Sequence, residues 1–444
     1  MVPEPNRLLR AVREATASRQ VAGAHMSRRE LADAAVAWLH ETTGRTAALD
    51  AHYIAKLERG VVRRPSQHYR AALRAVLGVA ADVDLGFSAH RPPALVATPP
   101  VGAVATPNTV EELLMSAAEE SSGFLAWAET TNVGELTVDQ MHAEVRRIAH
   151  SYLKAPTLPL FARTKALRDR AFTLLAGHQD PRRTRELYAA AGWSLTVLSW
   201  ISVDLGRPDA AEDHARAAWM CAERADHNAL RAWVRATQHT AAFWQADYTA
   251  AAQYAADGLS YGGTGTARLF LSSALAVDLA HAGQVEAAER ALLRAQHVAE
   301  TAAPAEDELA GPLTCSTDRA GSLWSDAELA LGRADAALSF ADRAVAAFEA
   351  TAEQRRNRGS ERMARLQQVK AHLALGDLRS AEDALRPVLD TPAAQRVRPL
   401  VHRVTEVGVL AAQAGGTGGA AARRIRGAVA DFRGNTVATR ELGP

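Results

Sequence analysis

The sequence predicts an all-α protein, with a small N-terminal helical bundle followed by a long array of helical hairpins. Three observations predict it. Alanine-rich segments with helical apolar spacing fill most of the 444 residues, and aromatic residues are only 5%, so strand signals are scarce. Serine and aspartate stand where helix caps belong, and glycines stand where the helices must stop. A turn motif of the form Leu-Gly-Arg-Pro-Asp-Ala-Ala recurs through the C-terminal half. A chain this long calls for more than one unit. The expected division is a bundle at 1–87, a linker at 88–109, a helical cap at 110–180, repeats at 181–434 and a tail at 435–444.

In the bundle, residues 6–13 form a first amphipathic helix. Ser27, with Glu30 three residues on, fits a capping box and opens a second helix through Leu31, Ala35, Trp38 and Leu39. Asp50 caps a third, short helix whose Ile54 and Leu57 point inward, leaving His52, Lys56 and Arg59 outside, and Gly60 stops it. Arg63 and Arg64 follow at once. Ser66 caps a fourth helix that turns Tyr69, Ala72, Leu73, Val76 and Leu77 inward and ends at Gly78. A capped helix with a basic outer face and a trailing arginine pair is suited to DNA: side chains meet base edges, and arginines hold phosphates.

These segments resemble the helix-turn-helix domain of lambda-repressor-like (xenobiotic-response-element type) regulators. YIAKLERG stands at that family's recognition helix and SRRELADA at its positioning helix. The connection at 41–49 departs from the family in being longer than its usual tight turn. The resemblance implies that Ala51, His52 and Lys56 face base edges and that Arg28, Arg59, Arg63 and Arg64 meet phosphates, with Ser27 and Tyr53 completing the DNA-contacting set.

Charge agrees with a nucleic-acid partner. The net charge of +1 conceals a surplus of four positive charges in residues 1–87 and a deficit of three in the remainder. Only four of the 51 basic residues are lysine, and abundant arginine and alanine point to a GC-rich bacterial genome. No apolar run approaches the ~18 residues of a membrane span, and the N-terminus lacks a signal-peptide core. The two cysteines, Cys221 and Cys315, are expected as free thiols in a cytoplasmic protein.

Residues 89–108 contain Pro92, Pro93, Pro99, Pro100 and Pro107 and are expected to form an extended linker. Beyond it, Gly206, Ala246, Gly283, Gly332 and Gly376 mark turns spaced 40, 37, 49 and 44 residues apart. Five residues after each stands an alanine: Ala211, Ala251, Ala288, Ala337 and Ala381. Small residues at such offsets let paired helices approach closely. The pattern resembles tetratricopeptide repeats with lengthened connections, with a worn sixth copy at 415–433. Together with ARAAWMCAE and LRAWVRATQ, the layout is similar to signal-sensing regulators of Gram-positive bacteria, including peptide-responsive quorum regulators, and to an actinobacterial class of this design.

The repeat resemblance places groove-facing positions at fixed offsets before each turn. There stand Trp193, Trp200, Trp233, Phe243, Trp244, Phe270, His281, Arg319 and Lys370, an aromatic wall with a few charges that would suit a peptide or small-molecule ligand. A glycine-rich run at 262–266 lacks the lysine and preceding strand of a phosphate loop. Histidines lack metal-ligand spacing, and no nucleophile motif occurs, so neither cofactor nor catalytic residue is expected. The expected function is a homodimeric, sequence-specific DNA-binding regulator whose repeats sense a signal. The alternative is a scaffold whose repeats bind a partner protein.

Overall fold

The computed structural model describes residues 5–87, 115 and 117–434, except 19, 22, 44–48, 63–64, 119, 126–128, 153, 262–264, 302–306, 354 and 415–418. Among these the protein is all-helical, with one isolated β-bridge between Ala17 and His25. Two compact units form, residues 1–123 and 124–444. The expected linker at 88–109 lies outside the described residues.

The first unit holds α1 (Arg7–Ala15), α2 (Arg28–Thr43), α3 (Ala51–Glu58), α4 (Gln67–Leu77) and a 3-10 turn (Asp82–Leu85). Each predicted cap is made. Asp50 accepts from the Tyr53 amide at 2.7 Å, Ser66 from Tyr69 at 3.3 Å, and Ser27 from Glu30 at 3.1 Å. Asn6 caps α1 through the Leu9 amide and donates to the Leu85 carbonyl, fastening the last turn to the first helix. Leu9, Leu31, Ala35, Ile54, Leu57, Leu73 and Leu85 form a solvent-free core, the hydrophobic term that holds so small a bundle together.

The second unit opens with α5 (Glu135–Ser151) and α6 (Thr157–Leu175), which pack on the first of six helical hairpins. The hairpins are α7–α8 (Pro181–Asp204, Pro208–Ala225), α9–α10 (Asn228–Trp244, Tyr248–Leu259) and α11–α12 (Ala267–His281, Val285–Thr301). They continue with α13–α14 (Thr317–Ala330, Ala334–Ala350), α15–α16 (Arg358–Ala374, Leu378–Leu389) and α17–α18 (Arg398–Ala414, Ala420–Gly434). The first helices of the hairpins touch one another in succession and form an inner layer. In α7 every residue from 189 to 203 is buried, the mark of a helix enclosed on all sides.

The five turns share one geometry. Gly206, Ala246, Gly283, Gly332 and Gly376 all take a left-handed φ between 61° and 79°. In each case the following amide donates to the carbonyl five residues back, satisfying an orphan helix-end acceptor. The alanine five residues after each turn is wholly buried. Alanine at these sites removes side-chain bulk where the two helices of a hairpin meet.

The array also bends back on itself. Helix α17 packs against α7, five hairpins away, with Arg398 close against Gly206 and the His402 ring edge-on to Trp244 at 5.8 Å. No described helix is long and apolar enough to cross a membrane.

Candidate functional site

In the first unit, the outward face of α3 is the one predicted. Ile54 and Leu57 point into the core, while His52 and Arg59 are exposed and Ala51 and Lys56 are half-buried at the helix flank. Tyr53 is half-buried, its ring edge-on to Tyr69 at 5.5 Å, so much of its surface packs within the bundle. Glu58, at the end of α3, is 4% exposed and accepts from Arg13 Nε and Arg28 Nε, both at 2.7 Å. That double clamp fixes the helix to α1 and α2. Arg28 is therefore anchored, yet its side chain remains 44% exposed. Arg13 also reaches Glu14 at 3.2 Å, so the exposed Arg28 and Arg59 are the cations that the face itself presents. Asp82 is outnumbered by Arg70 and Arg74 at 2.7 and 3.0 Å. Arg63 and Arg64 lie outside the described residues.

In the second unit, the inner layer lines a half-open cavity of about 240 Å³. Of the nine groove positions expected, it brings together Trp200, Phe243, Trp244, Phe270 and Arg319. The structure corrects the rest. Trp193 and Trp233 are each 1% exposed and belong to the core: Trp193 Nε1 donates to Glu308, and Trp233 packs on Phe270. Inner-layer helices are buried on both faces, so a groove offset taken from an open array marks core here. His281 and Lys370 stand behind the wall, reaching Asp326 at 3.5 and 3.6 Å.

No protein-family model matches this chain, and no curated protein is significantly similar to it.

The polar half of the cavity joins Arg319, Asp204 and Asp326, which also stand at groove offsets of the repeat, to Tyr152, His239 and Arg403, which the sequence reading did not name. Arg319 lies over the Phe270 and Trp200 rings, at 4.7 and 5.5 Å, and donates to the Pro312 and Thr314 carbonyls. Burial lowers its pKa from the usual arginine value. Burial also pushes the Asp204 carboxyl up to about 7, although the Tyr152 hydroxyl donates to it. Asp326, 2% exposed, is held by Arg403 from α17 and faced by Lys370 and His281. Burial pushes its carboxyl up, but the surrounding cations outweigh that and hold it well below the usual carboxylate range. His239 meets Asp278 at 3.1 Å beneath the same wall. One signal was available: Asp278 is a lone acid in the apolar run LFLSSALAVDLAH, and a buried acid requires a partner. The cap also contributes, through Tyr152, Thr157 and Leu160. Both cysteines are buried, with Cys221 pushed up to about 11 and Cys315 to about 12 by burial, which suits core thiols rather than nucleophiles.

Proposed function

We propose that this protein is a sequence-specific DNA-binding transcriptional regulator of lambda-repressor-like design, whose repeat unit takes up a peptide or small-molecule effector that alters DNA affinity. The observation that carries this reading is α3. It is a short capped helix, bolted at its end by Glu58 to Arg13 and Arg28, with His52, Lys56 and Arg59 directed outward beside the exposed Arg28. A rigid helix presenting such side chains can enter a major groove, and the flanking arginines can meet phosphates. The half-open cavity of the repeat unit, aromatic on one side and charged on the other, supports the sensing part. One such head covers only a few base pairs, so a cytoplasmic homodimer on paired half-sites is part of the proposal. The deciding experiment compares binding of the purified full chain to the DNA upstream of its own gene and to random duplex at ~0.15 M salt. The expected preference is at least ~10³-fold. A ratio near one overturns the assignment.

A further inference from the structure

Two cations at the cavity are paired with carboxylates and two are not. Arg403 and Lys370 are matched by Asp326 and Glu406, with Arg403 Nη1 3.0 Å and Lys370 3.5 Å from Glu406. Arg319 has no carboxylate in ion-pair contact among the described residues, since Asp204 keeps its proton up to about 7, but its guanidinium is held by the Pro312 and Thr314 carbonyls and by the Trp200 and Phe270 rings. Arg362, on α15, has no carboxylate within ion-pair reach among the described residues, and its one hydrogen bond is to the Gln395 amide oxygen at 2.9 Å. One turn further along, Gln367 lines the same cavity, is 4% exposed, and its buried amide oxygen has no partner. A buried amide left unsatisfied is costly and marks a place where something polar belongs. The first turn of α15 is also at the wall, through Asn357, Gly359 and Ser360, and a helix N-terminus favours negative charge. Opposite lie the apolar surfaces of Trp200, Phe243, Phe270 and Met363.

We infer that the cavity binds a small amphiphilic monocarboxylate, with its carboxylate at Arg362 and the α15 N-terminus, its apolar body against Trp200, Phe243 and Phe270, and an N–H or O–H group donating to the Gln367 amide oxygen. Arg362 is the guanidinium that has neither a carboxylate nor a cradle of carbonyls, and a single carboxylate would complete it. The size fits as well. An apolar cavity of about 150 Å³ accepts benzene, and drug-sized sites begin near 300 Å³. A volume of about 240 Å³ therefore takes one ring or a short acyl chain with its head group. This inference rests on the proposal that the repeat unit is a sensor, and it narrows the effector to a small acid.

The test is calorimetric titration of the full chain with indole-3-acetate, phenylacetate and octanoate, beside phenylacetamide and the dianion phenyl phosphate. At least one acid should bind below about 1 mM, at least about tenfold tighter than the amide and the phosphate. Arg362→Met should weaken that acid about tenfold or more, with Arg362→Lys recovering part of the loss and thermal melts of both variants unchanged. Gln367→Leu, which removes the orphaned acceptor, should weaken indole-3-acetate, whose ring N–H can donate to it, and leave octanoate and the melting temperature unchanged; equal affinity of a folded Gln367→Leu protein for indole-3-acetate would remove that contact. Equal binding of the amide, tighter binding of phenyl phosphate, no heat from any acid, or full affinity in a folded Arg362→Met protein would each overturn the inference. The readout needs no DNA, so its failure is separable from failure of DNA recognition.

Discussion

Asp326 on α13 and Arg403 on α17 form a buried ion pair across 77 residues of sequence, fastening the last hairpin to the interior of the array. Removing the acid alone leaves Arg403 and Lys370 buried without their shared partner. Asp326→Ala should therefore destabilise the second unit by about 3–5 kcal/mol, measured by urea denaturation. An Arg403→Met, Asp326→Leu double variant should recover much of that loss, since it buries no unpaired charge at this contact.

Base reading by α3 predicts a split between two kinds of variant. Lys56→Ala should cost ~1–3 kcal/mol on the preferred DNA and relax sequence preference, whereas Arg59→Ala should weaken all duplexes alike and flatten the salt slope. Filter binding at several salt concentrations separates them. Equal losses on specific and random DNA for Lys56→Ala would remove it from the reading face.

Asp204 makes stability depend on pH with a definite sign. Its carboxyl keeps its proton up to about 7 in the folded protein, against about 4 in an unfolded chain. Between those values the native state holds more protons, so this site's contribution to stability falls as pH rises from about 4 to about 7 and is level above. Asp204→Asn retains an acceptor for the Tyr152 hydroxyl and abolishes the fall. The variant should melt higher than wild type at pH 8, with the gap closing toward pH 4.

Two tryptophans, both expected in the groove, should behave differently. Trp233, 1% exposed and packed on Phe270, should cost about 3–5 kcal/mol when replaced by alanine. Trp200 is 8% exposed and forms cavity wall, so Trp200→Ala should chiefly enlarge the cavity and change its ligand affinity. Chemical melts beside ligand titrations of both variants check this.

Ala246 is the one non-glycine among the five aligned turn residues, at a φ of 61°. Left-handed backbone is costly for a residue with a Cβ, so Ala246→Gly should stabilise by about 0.5–1 kcal/mol after the greater chain entropy of glycine is deducted. Replacing Gly283 with alanine should do the reverse. Parallel thermal melts read both signs.

Local features were legible in the sequence, and the array's inner face was not. The caps at Ser27, Asp50 and Ser66, the stops at Gly60 and Gly78, and all five turns follow from short-range rules that act within a few residues. The wholly buried Ala211, Ala251, Ala288, Ala337 and Ala381 followed from the same alignment. The cavity escaped because its polar wall joins residues far apart in sequence, such as Asp326 and Arg403, or Tyr152 and Asp204. Trp193 and Trp200 lie two turns apart on one helix, yet only Trp200 meets the cavity. Helical periodicity cannot distinguish a buried back from a cavity wall when both faces are apolar. The role of Glu58 as a clamp was not legible, because it depends on Arg13 and Arg28 arriving from two other helices.

The return of α17 onto α7 alters how this unit can lose or gain parts. In an open stack each repeat meets only its neighbours, so stability adds up along one dimension and the ends fray independently. Here the last hairpin forms a seam with the first at Gly206 and Arg398 and with the second at Trp244 and His402, so the last hairpin is not a free end. Deleting or duplicating an internal hairpin would shift one margin past the other by a whole repeat and leave that seam unmatched. The seam thus couples the two margins of the array, and loss of the last hairpin should destabilise the first two as well rather than leave them untouched.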